Sequence, residues 1–122
     1  MSLVVVWAGV VLLGGVGAVA RFLVDRAVSG RTGRAFPYGT LVVNLSGAAV
    51  LGFLTGLALD QTAMLLAGTA MIGSYTTFST WMFESDRLGE DRLTLRLAAN
   101  VVGSLTLGLI AAGLGHLIGG WV

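Results

Sequence analysis

The chain has 122 residues, of which 56% are hydrophobic and 11% are charged. An ordinary soluble domain carries about 25% charged residues. The net charge of +1 is too small to indicate a nucleic-acid partner, and the absence of cysteine excludes disulfides and thiolate metal sites. The length allows one domain at most.

The 13 charged residues fall in three places only: residues 21–34, residue 60 and residues 84–96. Because about 20 apolar residues cross the hydrocarbon core as a helix, the four uncharged stretches between and beyond them predict four transmembrane helices. The chain is therefore predicted to be an all-α, multi-pass membrane protein. The first stretch lacks a basic segment before it and is expected to be a true span rather than a cleaved signal peptide. The predicted spans are residues 3–23, 37–59, 62–83 and 93–118.

Connections between the spans are short. Residues 25–34 are predicted to form a polar connection with a flexible turn at Ser29 to Gly33. Residues 60–62 are predicted to turn tightly between spans 2 and 3, and residues 84–96 to form a solvated connection. All seven arginines lie on one side of this topology, so the positive-inside rule places that side in the cytoplasm and both termini outside.

Span 3 has an unusual composition for a membrane helix. Residues 73–80 contain five serine and threonine side chains and a glycine, which are poor helix formers. Non-helical backbone at membrane depth survives only when it is buried in protein or lines a wet cavity. We therefore expect span 3 to be broken near its middle.

Polar residues inside the spans have two interpretations. Asn44 of span 2 either forms an interhelical hydrogen bond or points its NH2 donor into a conduction pathway. The aromatic residues after the expected break either face lipid or turn their positive ring edges toward an anion. Because no predicted span interior holds a carboxylate, a cation- or proton-coupled transporter is disfavoured, and donors without acids indicate an anion or a neutral solute.

Three segments resemble the small bacterial fluoride channels of the Fluc (CrcB) family. They are residues 39–44 with Gly47 in span 2, residues 76–80 with Gly73 in span 3, and residues 17–22 at the end of span 1. The resemblance covers essentially the whole chain, and the Thr-Thr-Phe-Ser-Thr string is its most specific part. It implies a fluoride-specific channel in the bacterial plasma membrane that lets fluoride leave passively and protects the cell from fluoride toxicity.

The resemblance also implies an antiparallel dimer of two inversely oriented subunits. Two pores would follow the dimer interface, and a structural Na⁺ that is not transported would lie at its centre, held by the backbone carbonyls of Gly73 and Thr76 from each subunit. It places Arg21 in a vestibule and Glu84 near a pore mouth. The implied pore residues are Asn44, Phe78, Ser79, Thr80, Trp81 and Ser104.

Two features depart from the family pattern or complicate it. Trp81 stands where the family usually has a second phenylalanine, and an indole could narrow a pore. The strong arginine bias indicates a subunit that inserts one way only, although dual topology would need little bias. A homodimer and a heterodimer with an oppositely oriented paralogue therefore both stay open.

Other functions fit the residues less well. A non-conducting accessory subunit of a heterodimeric channel would explain Trp81. A small multidrug-type exporter also has four short spans but needs a membrane-embedded acid in span 1, and residues 2–20 contain none. We expect no enzymatic activity, because the chain lacks a His/Asp/Ser or metal-ligand constellation.

Overall fold

The computed structural model describes residues 2–122, and this part of the chain is helical without strands. Five helical elements follow one another, and we number them α1 to α5. Three of them, α1, α2 and α5, are long and apolar enough to cross a membrane. The elements are α1 (Leu3–Thr32), α2 (Tyr38–Gly56), α3 (residues 61–75), α4 (Ser79–Glu90) and α5 (Thr94–Trp121).

Helix α1 is longer than the sequence predicts. The Ser2 hydroxyl accepts a hydrogen bond from the Val5 N–H at 3.3 Å and caps the helix, which ends where Gly33 takes a positive φ of 76°. The expected polar connection over residues 25–34 is therefore wrong for most of its length. Polar side chains mark where a helix leaves the apolar layer, but here the backbone stays helical for about two more turns.

The third apolar segment is interrupted, as the sequence predicts, but over fewer residues. Helix α3 contains wide π-helical turns at Met64–Ile72 and continues in α-helical form through Gly73–Tyr75. Residues 76–78 are not helical, and α4 begins at Ser79. The solvated connection expected over residues 84–96 is also wrong in its first half, because α4 runs to Glu90 and only residues 91–93 separate it from α5.

Glycines allow the helices to approach closely. A Cβ atom at Gly52 would meet the backbone carbonyl of Ala112, and one at Gly115 would meet that of Ala49, so α2 and α5 pack with their backbones nearly in contact. Gly17 of α1 faces the Met71 carbonyl of α3 in the same way. Small residues at such positions are typical of membrane helices.

Most large apolar side chains point away from the protein. Those of α1 and α5 are largely exposed, whereas Val43 and Asn100 are the large side chains that the structure buries almost completely. An exposed apolar surface of this extent suits lipid and not water. With the three span-length apolar helices, it identifies a membrane protein.

Candidate functional site

The interruption between α3 and α4 is the centre of the candidate site. Thr76 leaves the helix with extended backbone angles, φ −78° and ψ 159°. Its own N–H still donates to the Ile72 carbonyl at 3.0 Å, so α3 is closed by a regular helical hydrogen bond. The chain then crosses Thr77 and Phe78 before α4 starts. The break is thus short, and it joins two regular helices.

Asn44 of α2 holds the broken segment by both ends of its carboxamide. Its Nδ2 donates to the Thr77 carbonyl at 2.8 Å, and its Oδ1 accepts from the Thr77 N–H at 2.8 Å. Of the two interpretations of Asn44, the structure shows the interhelical hydrogen bond. A carboxamide has two N–H donors, and this contact uses one of them.

The side chain of Thr77 caps α4. Its Oγ1 accepts a hydrogen bond from the Thr80 N–H at 3.2 Å, which is the contact a helix N-cap makes with the third residue on. Sequence reasoning missed this role, because the recognisable capping pattern needs Glu or Gln at position 80, where the chain has Thr80.

These two contacts free two backbone carbonyls. In an uninterrupted helix the N–H groups of Thr77 and Thr80 would bond to the carbonyls of Gly73 and Thr76. Here they bond to Asn44 Oδ1 and Thr77 Oγ1 instead. The diverted donors therefore leave two neutral oxygens at the break, the kind of ligand that a hard cation of low charge accepts.

The predicted pore residues lie around the break but not in a single cavity of this subunit. Asn44, Phe78 and Trp81 line one open depression of about 290 Å³. Thr80 lines a second cavity, of about 170 Å³, together with Arg21 and Thr77. Ser104 lines a third, between α2 and α5. Phe78 is 70% exposed and Ser79 is exposed, so any continuous lining needs a second surface.

Trp81 is fixed by contacts on two sides. Its Nε1 donates to the Asn100 carbonyl at 3.0 Å, and its ring meets the Phe78 ring edge-on, with centroids 5.8 Å apart. The Asn100 carboxamide donates in turn to the Ser85 hydroxyl at 2.8 Å. Asn100 is 1% exposed, and this polar link between α4 and α5 was not predicted as such. Asn100 and Ser104 lie four residues apart on one face of the helix, and this spacing was the only sign of the link in the sequence.

Thr40 and Glu84 connect α2 to α4 on the arginine-rich side. The Thr40 hydroxyl donates to a carboxylate oxygen of Glu84. Burial raises the pKa of the Glu84 carboxyl above its usual value, against the opposing effect of the Thr40 hydrogen bond. Arg21 lines the neighbouring cavity that also contains Thr40. The two predicted vestibule residues thus lie on the same side of the break.

Comparisons with known proteins show the family to which the chain is similar. The model of the family described as CrcB-like protein, Camphor Resistance (CrcB), matches residues 8–116. A Mycobacterium tuberculosis protein named Fluoride-specific ion channel FluC 2 is 60% identical over 98% of this chain and 91% of its own. A protein of the same name from Mycolicibacterium paratuberculosis is 63% identical, with 95% of each chain covered.

A more distant relative also matches most of the chain. The protein named Fluoride-specific ion channel FluC 1 from Leifsonia xyli subsp. xyli is 42% identical over 91% of this chain and 84% of its own. The expectation that the chain is not an enzyme is confirmed, since these relatives are ion channels by name. With a family match over most of its length and relatives this similar, the chain belongs to the CrcB family of membrane proteins.

Proposed function

We propose that this protein is a fluoride-specific ion channel of the bacterial plasma membrane. It lets fluoride flow passively out of the cell and so protects the cell from fluoride toxicity. The names of its relatives support this function. The observation that carries it is the break at residues 76–78, where Asn44 holds Thr77 and exposes polar groups between two helices.

The working unit is an antiparallel dimer with a Na⁺ ion at its centre. The carbonyls of Gly73 and Thr76 from both subunits would hold this ion, and the donor diversion at Thr77 and Thr80 supports that assignment. A bound cation without a neighbouring carboxylate supplies a positive potential that favours anions nearby. The ion is structural and is not transported.

Fluoride is small and strongly hydrated, so a pore must replace its water with other donors. The second N–H of Asn44 and the hydroxyls of Ser79, Thr80 and Ser104 are such donors. The ring edge of Phe78 adds partial positive charge without a fixed charge. Phe78, Ser79 and Thr80 are exposed in one subunit, which supports completion of the path by an oppositely oriented partner.

A liposome efflux assay tests the function. We expect the reconstituted chain to release fluoride, measured with a fluoride electrode, and to release no chloride. Asn44→Asp should reduce efflux to the level of protein-free liposomes, because a carboxylate repels the anion and cannot donate to the Thr77 carbonyl. Gln61→Glu, an equivalent change at an exposed helix start, is the matched control and should keep full efflux. Chloride release equal to fluoride release would contradict the proposal.

A second candidate is that this chain conducts only when paired with a paralogue. The one-sided arginine distribution and Trp81 favour it, and the numerals in the names of the relatives hint at paired paralogues. On this alternative the chain alone gives no fluoride efflux, and co-reconstitution with an oppositely biased four-span chain restores it. Efflux from the chain alone would exclude the accessory role.

A further inference from the structure

A polar cavity lies at the arginine-rich end of the protein, away from the break. It has a volume of about 190 Å³ and is formed where α4, α5 and the connection after α1 meet. Three arginines line it together with two carboxylates: Arg34, Arg87, Arg96, Glu84 and Asp91. Of these five residues, only Glu84 belongs to the proposed fluoride pathway.

The charges in this cavity leave an excess of one positive charge, from three arginines and two carboxylates. Glu84 is the less available of the two acids, because one of its oxygens already accepts from Thr40. Arginine is the side chain best suited to phosphate, since its planar fork donates two parallel hydrogen bonds. A phosphodiester carries one negative charge and therefore complements the cavity.

The position of the cavity relative to the membrane narrows the source of the phosphate. Its lining residues lie within a few residues of the ends of the predicted apolar spans, which is the level of the lipid headgroups. Leu95, next to Arg96, is 84% exposed. An apolar groove of about 560 Å³ begins beside the cavity and shares Ala35 and Arg96 with it.

The groove also supplies a surface for the lipid chain. Phe36, Tyr38 and Leu95 line it. Ser104, which also lines the groove, lies about 12 Å further along α5 from Arg96, so the near part of the groove can hold the start of an acyl chain without reaching that side chain.

We propose that this cavity is a binding site for the headgroup of an anionic phospholipid such as phosphatidylglycerol. Arg34, Arg87 and Arg96 bind the phosphate, and Asp91 accepts a hydrogen bond from a headgroup hydroxyl. Basic pockets between helices at the membrane surface are a known form of lipid recognition. The site joins three elements of the chain, so a bound headgroup is expected to stabilise the folded protein.

The test measures the melting temperature of the purified full chain in a neutral detergent. Phosphatidylglycerol in mixed micelles should raise this temperature, and phosphatidylcholine should raise it much less. The variant Arg34→Gln/Arg87→Gln/Arg96→Gln should lose most of the phosphatidylglycerol response. The matched control, Arg26→Gln/Arg31→Gln/Arg92→Gln, removes the same charge outside the cavity and should keep the response.

Each outcome decides the proposal. Loss of the response in the cavity variant alone supports it, and so does an intermediate response when the three arginines become lysines, which keep the charge but lose the planar fork. An equal loss in the control variant shows general charge attraction and overturns the site. If inorganic phosphate alone produces the full response, the cavity binds free anions and the lipid assignment is wrong. If the cavity variant does not fold, the same comparison is made with Arg34→Gln alone against Arg31→Gln.

Discussion

Asn44 and Thr77 together decide the chemistry of the break. Each diverts one backbone N–H from its helical partner, and each leaves one carbonyl open. The sequence identifies Asn44 as a costly polar residue inside a span and places it within a recognisable motif. It cannot identify Thr77 in this role, because a threonine hydroxyl that caps a helix and one that faces a pore look alike until the direction of the chain is known.

The cap at Thr77 can be tested without changing a cation ligand. Thr77→Val removes the hydroxyl, so the Thr80 N–H is free to bond to the Thr76 carbonyl and extend α4 backward. The loss of this cap should lower the free energy of unfolding by about 1 kcal/mol, both with and without Na⁺. We further expect the rise in melting temperature on adding Na⁺ to shrink in this variant, because one oxygen ligand is withdrawn.

Thr77→Ser keeps the hydroxyl and is the control for the same position. It should retain the full Na⁺ response. If the Thr77→Val protein is less stable but its melting temperature rises as much with Na⁺ as that of the wild type, the cap serves folding only.

Trp81 is the other residue whose substitution is informative. Its indole N–H bonds to the Asn100 carbonyl, so Trp81→Phe gives up a hydrogen bond worth about 1 kcal/mol. The same variant restores the phenylalanine of the family pattern. If the indole narrows the pore, Trp81→Phe should therefore increase fluoride efflux from liposomes. A variant with lower stability and unchanged or lower efflux would contradict a narrowing role.

At the scale of elements, hydropathy predicts the positions of the apolar segments well and their helical ends poorly. The extension of α1 to Thr32 and of α4 to Glu90 involves charged and polar residues, which report the edge of the membrane rather than the end of a helix. The end of α1 is set by the positive φ of Gly33. The chain contains several other glycines, and only the backbone geometry shows that Gly33 is the one that ends the helix.

The close packing of α2 on α5 predicts a sharp difference between two neighbouring glycines. Gly115→Ala places a methyl group against the Ala49 carbonyl and should destabilise the protein by about 1–3 kcal/mol. Gly113→Ala meets no atom within 4 Å and should be neutral or slightly stabilising, since alanine is the better helix former. Melting temperatures in the same detergent compare them. Equal effects would show that α2 and α5 are not in backbone contact.

At the scale of the whole molecule, the charge distribution predicts a fixed orientation. All seven arginines lie in residues 21–34 and 84–96, on one side of the predicted topology. If the chain works only with an oppositely oriented paralogue, a reporter fused to the C-terminus should give a signal on the outside of the cell only. Equal signals on both sides would establish dual insertion, and with it a homodimer as the simplest assembly.

The sequence leads from composition to a membrane protein and from three motifs to a family, and the comparisons confirm both. The proposed fluoride path cannot be completed from one chain. Phe78 and Ser79 point outward from the subunit, and the cavities around the break are separate. What joins them depends on a second surface, which neither hydropathy nor motif spacing describes.

The central claim is that two broken helices, one from each subunit, share a single cation at the carbonyls of Gly73 and Thr76. Its most direct test is equilibrium dialysis of radioactive Na⁺ against the dimer purified without Na⁺, made either of two copies of this chain or of this chain and an oppositely oriented paralogue, with the protein concentration measured independently. The account predicts saturable binding of one Na⁺ for every two chains. Saturation at one Na⁺ per chain, or the absence of saturable binding, would contradict it.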